Sequence, residues 1–305
     1  MLALAKKKHS TKIGKTRADK ITDCVITVFL LIASVACLYP LWYTLIASIS
    51  NPSYITNGEI WLLPKGLTTI AYEELYRTKS IWIGYRNSLF YTFTMCFTEL
   101  LVIIPISYVL SRPRLHGQKM FFLYFLIPMY FGGGMVPTYL LMSKLGLVNN
   151  ILVMIIPHGV AAFYLIICRN YFQGNIPESV FESARMDGCS VIQFLIRFVV
   201  PLSKPIISVI VMYSAIGTWN NYMTSMIYLQ DFNKQSLQVV IRSITATLDE
   251  SMADVLDAET VSMIAQRKQL LKYAVVVVSA LPLILLYPFV QRYLIGGIMV
   301  GSVKE

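Results

Sequence analysis

The sequence predicts an all-α integral membrane protein with about six transmembrane helices. Three observations carry that reading. Of the 305 residues, 56% are hydrophobic and only 14% charged. The mean hydropathy is +0.62. The charges fall in short clusters between long apolar runs rather than across one soluble face. A net charge of +10 in that arrangement argues for membrane topology and against nucleic acid as a partner.

A helix needs about 20 mainly apolar residues to cross the roughly 30 Å hydrocarbon core, because it must satisfy its backbone polar groups internally. Six stretches qualify: 24–48, 87–110, 120–142, 151–168, 206–229 and 273–291. The first is longer than the roughly 7–15 apolar residues of a signal peptide, so it reads as a retained helix. Ser34-Val35-Ala36-Cys37 has a faint likeness to a lipoprotein cleavage site, but apolar sequence continues on both sides of it. Aromatics near the span ends, Trp42, Tyr43 and Trp82, suit an interfacial belt.

Lys6, Lys7, Lys8, Lys12, Lys15, Arg17 and Lys20 precede the first span and place the N-terminus in the cytosol. Six crossings then put the linkers with Arg112, Arg114 and Lys119, and with Arg169, Arg185, Arg197 and Lys204, on that same side, together with Arg292 and the C-terminal tail. The chain thus divides into a basic leader (1–22), a transmembrane domain (23–292) and a cytosolic tail (293–305). The loop 51–82 falls outside, with Pro52, Gly58, Pro64 and Gly66 as turn formers. The acidic segment 230–268 is also external and reads as polar or amphipathic helix.

The cytosolic insert between the fourth and fifth spans, 175–201, predicts two short helices. Pro177 suits a first helical position, Glu178 complements the helix dipole, and Gly188 supplies a left-handed stop. Ser190 and Gln193 then have capping-box spacing, followed by an apolar stripe of Val191, Phe194, Leu195 and Phe198 that ends at Pro201. Such a corner is either a knob that docks on a soluble partner or an ordinary interfacial loop.

Other chemistry is sparse. The cysteines, Cys24, Cys37, Cys96, Cys168 and Cys189, contain no CxxC pair, and His9, His116 and His158 are dispersed, so neither a disulfide frame nor a metal centre is expected. Gly14-Lys15-Thr16 copies the tail of a P-loop, but His9 stands where the first glycine is needed and no strand precedes it. The chain is therefore expected to bind no nucleotide. Glu99 lies mid-span, where a carboxylate is costly, and either lines a path or pairs across a subunit interface. Trp219, Asn220, Asn221 and Tyr222 offer amides and aromatic faces that suit the hydroxyl groups and rings of a solute on a path, or they bond helix to helix. Gly132, Gly133 and Gly134 with Pro137 weaken the third span, as a gating hinge or for close packing.

Glu182-Ser183-Ala184, then Gly188, then Phe198-Val199-Val200-Pro201 resembles the EAA loop of ABC importer permeases, E-A-A-x3-G-x9-I-x-L-P, with its spacing kept. Ser183, Phe198 and Val200 are the departures from that pattern. Arg185-Met186-Asp187-Gly188, Val200-Pro201-Leu202-Ser203-Lys204-Pro205, Trp219-Asn220-Asn221 and Gln291-Arg292-Tyr293 through Lys304 are similar to the carbohydrate-uptake branch. Gly132-Gly133-Gly134 and Val136-Pro137-Thr138-Tyr139 look like the oligosaccharide permeases of Gram-positive bacteria.

The resemblance implies the type I importer permease fold in a bacterial plasma membrane. It also implies a non-catalytic role beside a second permease, two ATPase subunits that bind ATP and magnesium, and an extracellular lipid-anchored solute-binding protein. Glu182, Ser183, Ala184, Asp187 and Gly188 would couple to the ATPase. The competing class is an ion-coupled secondary carrier, which would place several charged groups or unwound half-helices at the midplane, where only Glu99 clearly fits. An intramembrane enzyme is disfavoured, since no catalytic set shares a depth.

Overall fold

The computed structural model describes residues 16–113, 115–250 and 258–301. It is helical throughout, with no strand among the described residues. Most of the basic leader, including Gly14 and Lys15, lies outside the described residues, as do Arg114, Asp254 and Asp257.

The first helix, α1 (Arg17–Ser48), opens on a capping box in which Thr16 accepts from the Asp19 N–H and the Asp19 carboxylate accepts from the Thr16 N–H. Its apolar length is exposed, and only its last turn, Ile46 to Ser48, is buried. Two short helices follow, α2 (Pro52–Thr56) and α3 (Ile70–Arg77), and lead into α4 (Lys79–Ser111), a 33-residue helix at the centre of the bundle. Trp42 donates its indole N–H to the Leu62 carbonyl at 2.9 Å, and Trp82 donates to Tyr76 at 2.9 Å. The two tryptophans thereby tie the 49–78 loop to the ends of α1 and α4.

The expected third span, 120–142, is not one straight helix. It is a pair, α5 (Gln118–Tyr130) and α6 (Met135–Lys144), bent by 113°. Gly134 sits at the break with φ +83°, a backbone an L side chain resists. The expected fourth span, 151–168, is also corrected. Ile151–Met154 and Ile156–His158 are 3-10 turns, and α7 (Ala162–Asn175) begins only after Gly159. Asn150 accepts from the Leu152 N–H and starts the first turn, while Pro157 lacks the N–H an α-helix would use. Apolar length alone carried no trace of that break.

Next come α8 (Glu178–Met186) and α9 (Val191–Leu202), and then α10 (Lys204–Asn220), set at 80° to α9. The fifth expected span, 206–229, stops at Asn220. There the Asn221 side chain accepts from the Thr224 N–H and starts a new helix, α11 (Tyr222–Tyr228). The acidic segment contains an amphipathic helix as expected, α12 (Leu237–Glu250). Its second part, however, already belongs to the 44-residue α13 (Ala258–Gly301).

α4 packs on α7, α10 and α12, and α13 packs on α1 and α10. The start of α4 is bound by side chain to the 230–237 loop. Asn87 donates to the carbonyls of Asn233 (2.7 Å) and Gln235 (3.0 Å), and Tyr91 donates to Lys234 (2.6 Å). The Leu237 N–H in turn donates to the Ser88 hydroxyl at 2.8 Å. Gly84 lets the chains approach, because a Cβ there would stand 2.9 Å from Leu237 Cα. Gly84→Ala is therefore expected to cost about 1–3 kcal/mol by overpacking, while Gly217→Ala, with open space around it, leaves stability within about 0.5 kcal/mol. Thermal unfolding of the purified variants measures both.

Candidate functional site

Two features stand out: a helical corner at one end of the bundle and a polar cavity inside it. The corner is built from local rules. Pro177 is the N-cap of α8, with φ −61° and ψ 144°, so Glu178 rather than Pro177 takes the first helical position. At the other end of α8, Gly188 adopts φ +79°. Its N–H donates to Arg185 and the Cys189 N–H donates to Ala184, both at 3.0 Å. That is a Schellman stop, and a glycine satisfies it without strain. The next helix begins one residue later on a reciprocal capping box. The Gln193 N–H donates to the Ser190 hydroxyl at 3.3 Å, and the Ser190 N–H donates to the Gln193 side-chain oxygen at 3.0 Å.

The expected stripe on α9 is only partly realised. Phe194 is fully buried, but Val191 and Phe198 are exposed, and Val199 is buried in place of Phe198. A π turn over Leu195–Val199 is the cause, since an i→i+5 bond brings the core face round one residue late. Pro201 favours that register, because it has no N–H to return to the carbonyl of Arg197. The helix then runs one residue past Pro201 and breaks at Ser203.

The residues proposed for coupling lie together on the corner. Glu182, Ser183, Asp187 and Gly188 are exposed, and Ala184 is buried against the bundle. Around them the corner presents apolar side chains, with Met186 88% and Ile192 70% exposed. Its inner side is fastened by rings. Phe181 meets Phe194 edge to face at 5.2 Å, Phe198 stacks on Phe194 at 5.2 Å, and Tyr108 of α4 touches both Phe194 and Phe172.

The cavity has a volume of about 300 Å³ and is lined by Met95, Glu99, Tyr164, Ser214, Thr218 and Asn221, among others. Glu99 is only 4% exposed. Glu99 and Ser214 lie close enough to interact, but Glu99 Oε2 and Ser214 Oγ are buried and neither has a partner at full hydrogen-bonding geometry among the described residues. Leaving such groups unmet costs on the order of 1–3 kcal/mol each, so a hydroxyl-bearing guest would recover that energy.

Of the five residues expected to line a path, Glu99 and Asn221 share this cavity. Trp219 does not. Its indole faces away and donates to the Ser279 carbonyl of α13 at 3.0 Å, which is helix-to-helix bonding. Asn220 is exposed, and Tyr222 lies under the Arg242 guanidinium at 5.1 Å. Sequence reasoning missed Ser214 and Thr218, although Ser214, Gly217, Thr218 and Asn221 have the i, i+3, i+4, i+7 spacing of one helix face. At the α5–α6 break, a Cβ on Gly132, Gly133 or Gly134 would meet nothing within 4 Å, so close packing within the chain does not explain these glycines. Pro137 is the third residue of α6.

Residues 79–299 match the family described as binding-protein-dependent transport system inner membrane component. The chain is 34% identical over 286 residues to the polygalacturonan/rhamnogalacturonan transport system permease protein YtcP of Bacillus subtilis, covering 94% of this chain and 99% of that protein. It is 26% identical over 296 residues to the arabinooligosaccharides transport system permease protein AraQ of Halalkalibacterium halodurans, covering 95% and 99%. Among solved structures, a chain of a bacterial ABC transporter involved in the import of the acidic polysaccharide alginate superposes with a TM-score of 0.81 at 34% identity, covering 92% and 99%.

The energy of the Gly188 corner is open to measurement. Gly188→Ala meets no steric obstacle but forces an L residue to positive φ, at a cost of about 1–2 kcal/mol. Faster amide exchange at Gly188 and Cys189, without change in α4, is the expected result.

Proposed function

Because the chain belongs to the binding-protein-dependent transport system inner membrane components, we propose that it is one permease half of an ATP-driven importer of oligosaccharides. The other parts are a second, non-identical permease, two ATPase subunits that bind ATP and magnesium, and an extracellular lipid-anchored solute-binding protein. The chain itself performs no hydrolysis. Both its termini lie in the cytosol, which puts the corner on the ATPase side and the 230–237 loop outside.

The observation that carries the reading is the exposed corner at Gly188, rigid at its own turn and fastened by Phe194 to the membrane helices. Reversing an inward-facing to outward-facing equilibrium from 1:99 to 99:1 takes about 5.5 kcal/mol. A single exposed contact supplies far less, about 0–1 kcal/mol. A docked lever is required, and the corner has the shape and the fastening for one. The ATPase would hold the face bearing Glu182, Ser183, Asp187 and Gly188, with Ala184 seating α8 against the bundle, and closure of the ATPase pair would turn the helices behind it. The broken pair α5–α6, hinged at Gly132 to Gly134 and Pro137, would take up the change in angle.

Inside the bundle, the cavity at Glu99, Ser214, Thr218 and Asn221 offers acceptors and donors to sugar hydroxyls, and we assign it to the path. Relatives named for polygalacturonan/rhamnogalacturonan and arabinooligosaccharide transport, and a structural neighbour involved in import of the acidic polysaccharide alginate, support a polysaccharide fragment as the substrate class.

In proteoliposomes carrying the full complex, uptake is expected to stop when ATP is removed and to survive collapse of ion gradients; the opposite pattern would establish the secondary-carrier reading. Gly188→Pro and Glu182→Lys should insert normally yet abolish uptake and weaken ATPase co-purification. Glu99→Leu should keep the ATPase bound while lowering uptake about tenfold, the equivalent of one lost hydrogen bond of about 1.4 kcal/mol. Wild-type uptake by Glu99→Leu would remove the cavity from the path.

A further inference from the structure

Arg112 closes α4, and its side chain does not turn to solvent. Its guanidinium Nη1 donates to the Glu178 carboxylate at 2.7 Å, with the Arg112 side chain 14% and the Glu178 side chain 28% exposed. The plane lies over the Tyr108 ring at 4.4 Å and faces the Phe181 ring at 5.6 Å. Its Nε and Nη2 are buried and make no bond of full hydrogen-bonding geometry among the described residues, though the guanidinium also interacts with the Tyr108 hydroxyl. A cation so enclosed depends on the Glu178 carboxylate and on the two ring faces.

The two ends of this contact belong to different machines. Glu178 is the first residue of α8, on the corner. Arg112 is the C-cap of α4, which carries Glu99 thirteen residues earlier, about 20 Å along the axis at 1.5 Å per residue. Along the chain, α8 reaches the cavity wall forward through the π turn of α9 and the 80° break before α10, and backward through Ile176-Pro177 into α7, whose Tyr164 lines the cavity. The Arg112–Glu178 contact adds a direct side-chain route to α4 that passes through none of these connections. A second cation holds the same end of α4, since Arg169 Nε of α7 donates to the Leu110 carbonyl at 3.0 Å. The end of α4 is thus fastened to α7, and Arg112 fastens it by charge to α8.

Resting on the importer reading above, we propose that the Arg112–Glu178 pair is a tension link that delivers movement of the ATPase-docked helix α8 directly to α4 and so to the Glu99 cavity. Both are positioning residues. The pair carries force along an in-line, charge-assisted bond, while Tyr108 and Phe181 keep the guanidinium from swinging aside. Breaking it should leave the ATPase docked and hydrolysing but deprive the cavity of the stroke.

The test uses the assembled transporter in proteoliposomes and reads three quantities for each variant: ATPase subunit retained on purification, ATP hydrolysed, and sugar taken up. Arg112→Gln and Glu178→Gln should each keep the ATPase bound and hydrolysing while uptake per ATP falls about tenfold. The double variant should fall no further than either single one, because both remove the same link. Arg112→Lys, which keeps charge but loses the flat fork, should recover part of the loss. Losses that multiply in the double variant would overturn the link, as would wild-type uptake per ATP in the single variants. Loss of the ATPase on purification would overturn it too, since the pair would then merely hold α8 in place. ATP-independent uptake by the wild-type complex would instead refute the importer reading itself.

Discussion

Phe194 is fully buried where α4, α7, α8 and α9 converge, and the relation between the two ends of this molecule depends on that contact. A short exposed helix has little stability of its own, because nucleation is unfavourable and nine residues recover few hydrogen bonds. α8 is held instead by Phe181 on Phe194 and by Ala184 against the bundle. These contacts seat the corner against the helices behind it. A knob that moved independently of them could bind a partner but could not do work on the membrane domain.

The cavity is the reverse case, a place where stability is given up. Helices in a bilayer are joined by packing and by hydrogen bonds rather than by burial from water, and most polar groups in this bundle are accordingly paired. Ser107 donates to Leu165, Trp219 to Ser279 and Asn87 to two carbonyls of the 230–237 loop. Glu99 and Ser214 break that pattern, facing one shared space with atoms unmet. Their position halfway between the corner and the 230–237 loop is what a transported, hydroxyl-rich solute would need.

The breaks in the bundle share a cause. At Gly134, at Pro157 and Gly159, at Ser203 just past Pro201, and at Asn221, the backbone leaves the helical ladder beside a residue that cannot supply the usual N–H, tolerates positive φ, or offers its side chain in the ladder's place. Two of the breaks redirect a span: 113° between α5 and α6, 80° between α9 and α10. In a bilayer such departures survive only where protein or a polar space satisfies the exposed groups, and the last three lie beside the cavity or the corner.

The residues alone determined that this chain is a helical membrane protein with an importer-permease corner. Apolar run length and lysine and arginine clustering are properties of linear sequence, and the Ser190–Gln193 box, the Gly188 stop and the spacing from Glu182 to Pro201 act within one or two turns. Tertiary structure alone decided where the long apolar runs break, that Val199 rather than Phe198 enters the core, and that Trp219 faces α13. It alone brought Glu99 to Ser214 and Arg112 to Glu178. The physical reason is range: a cap closes over three residues, whereas the Arg112–Glu178 bond spans 66 positions and exists only once four helices have packed around Phe194.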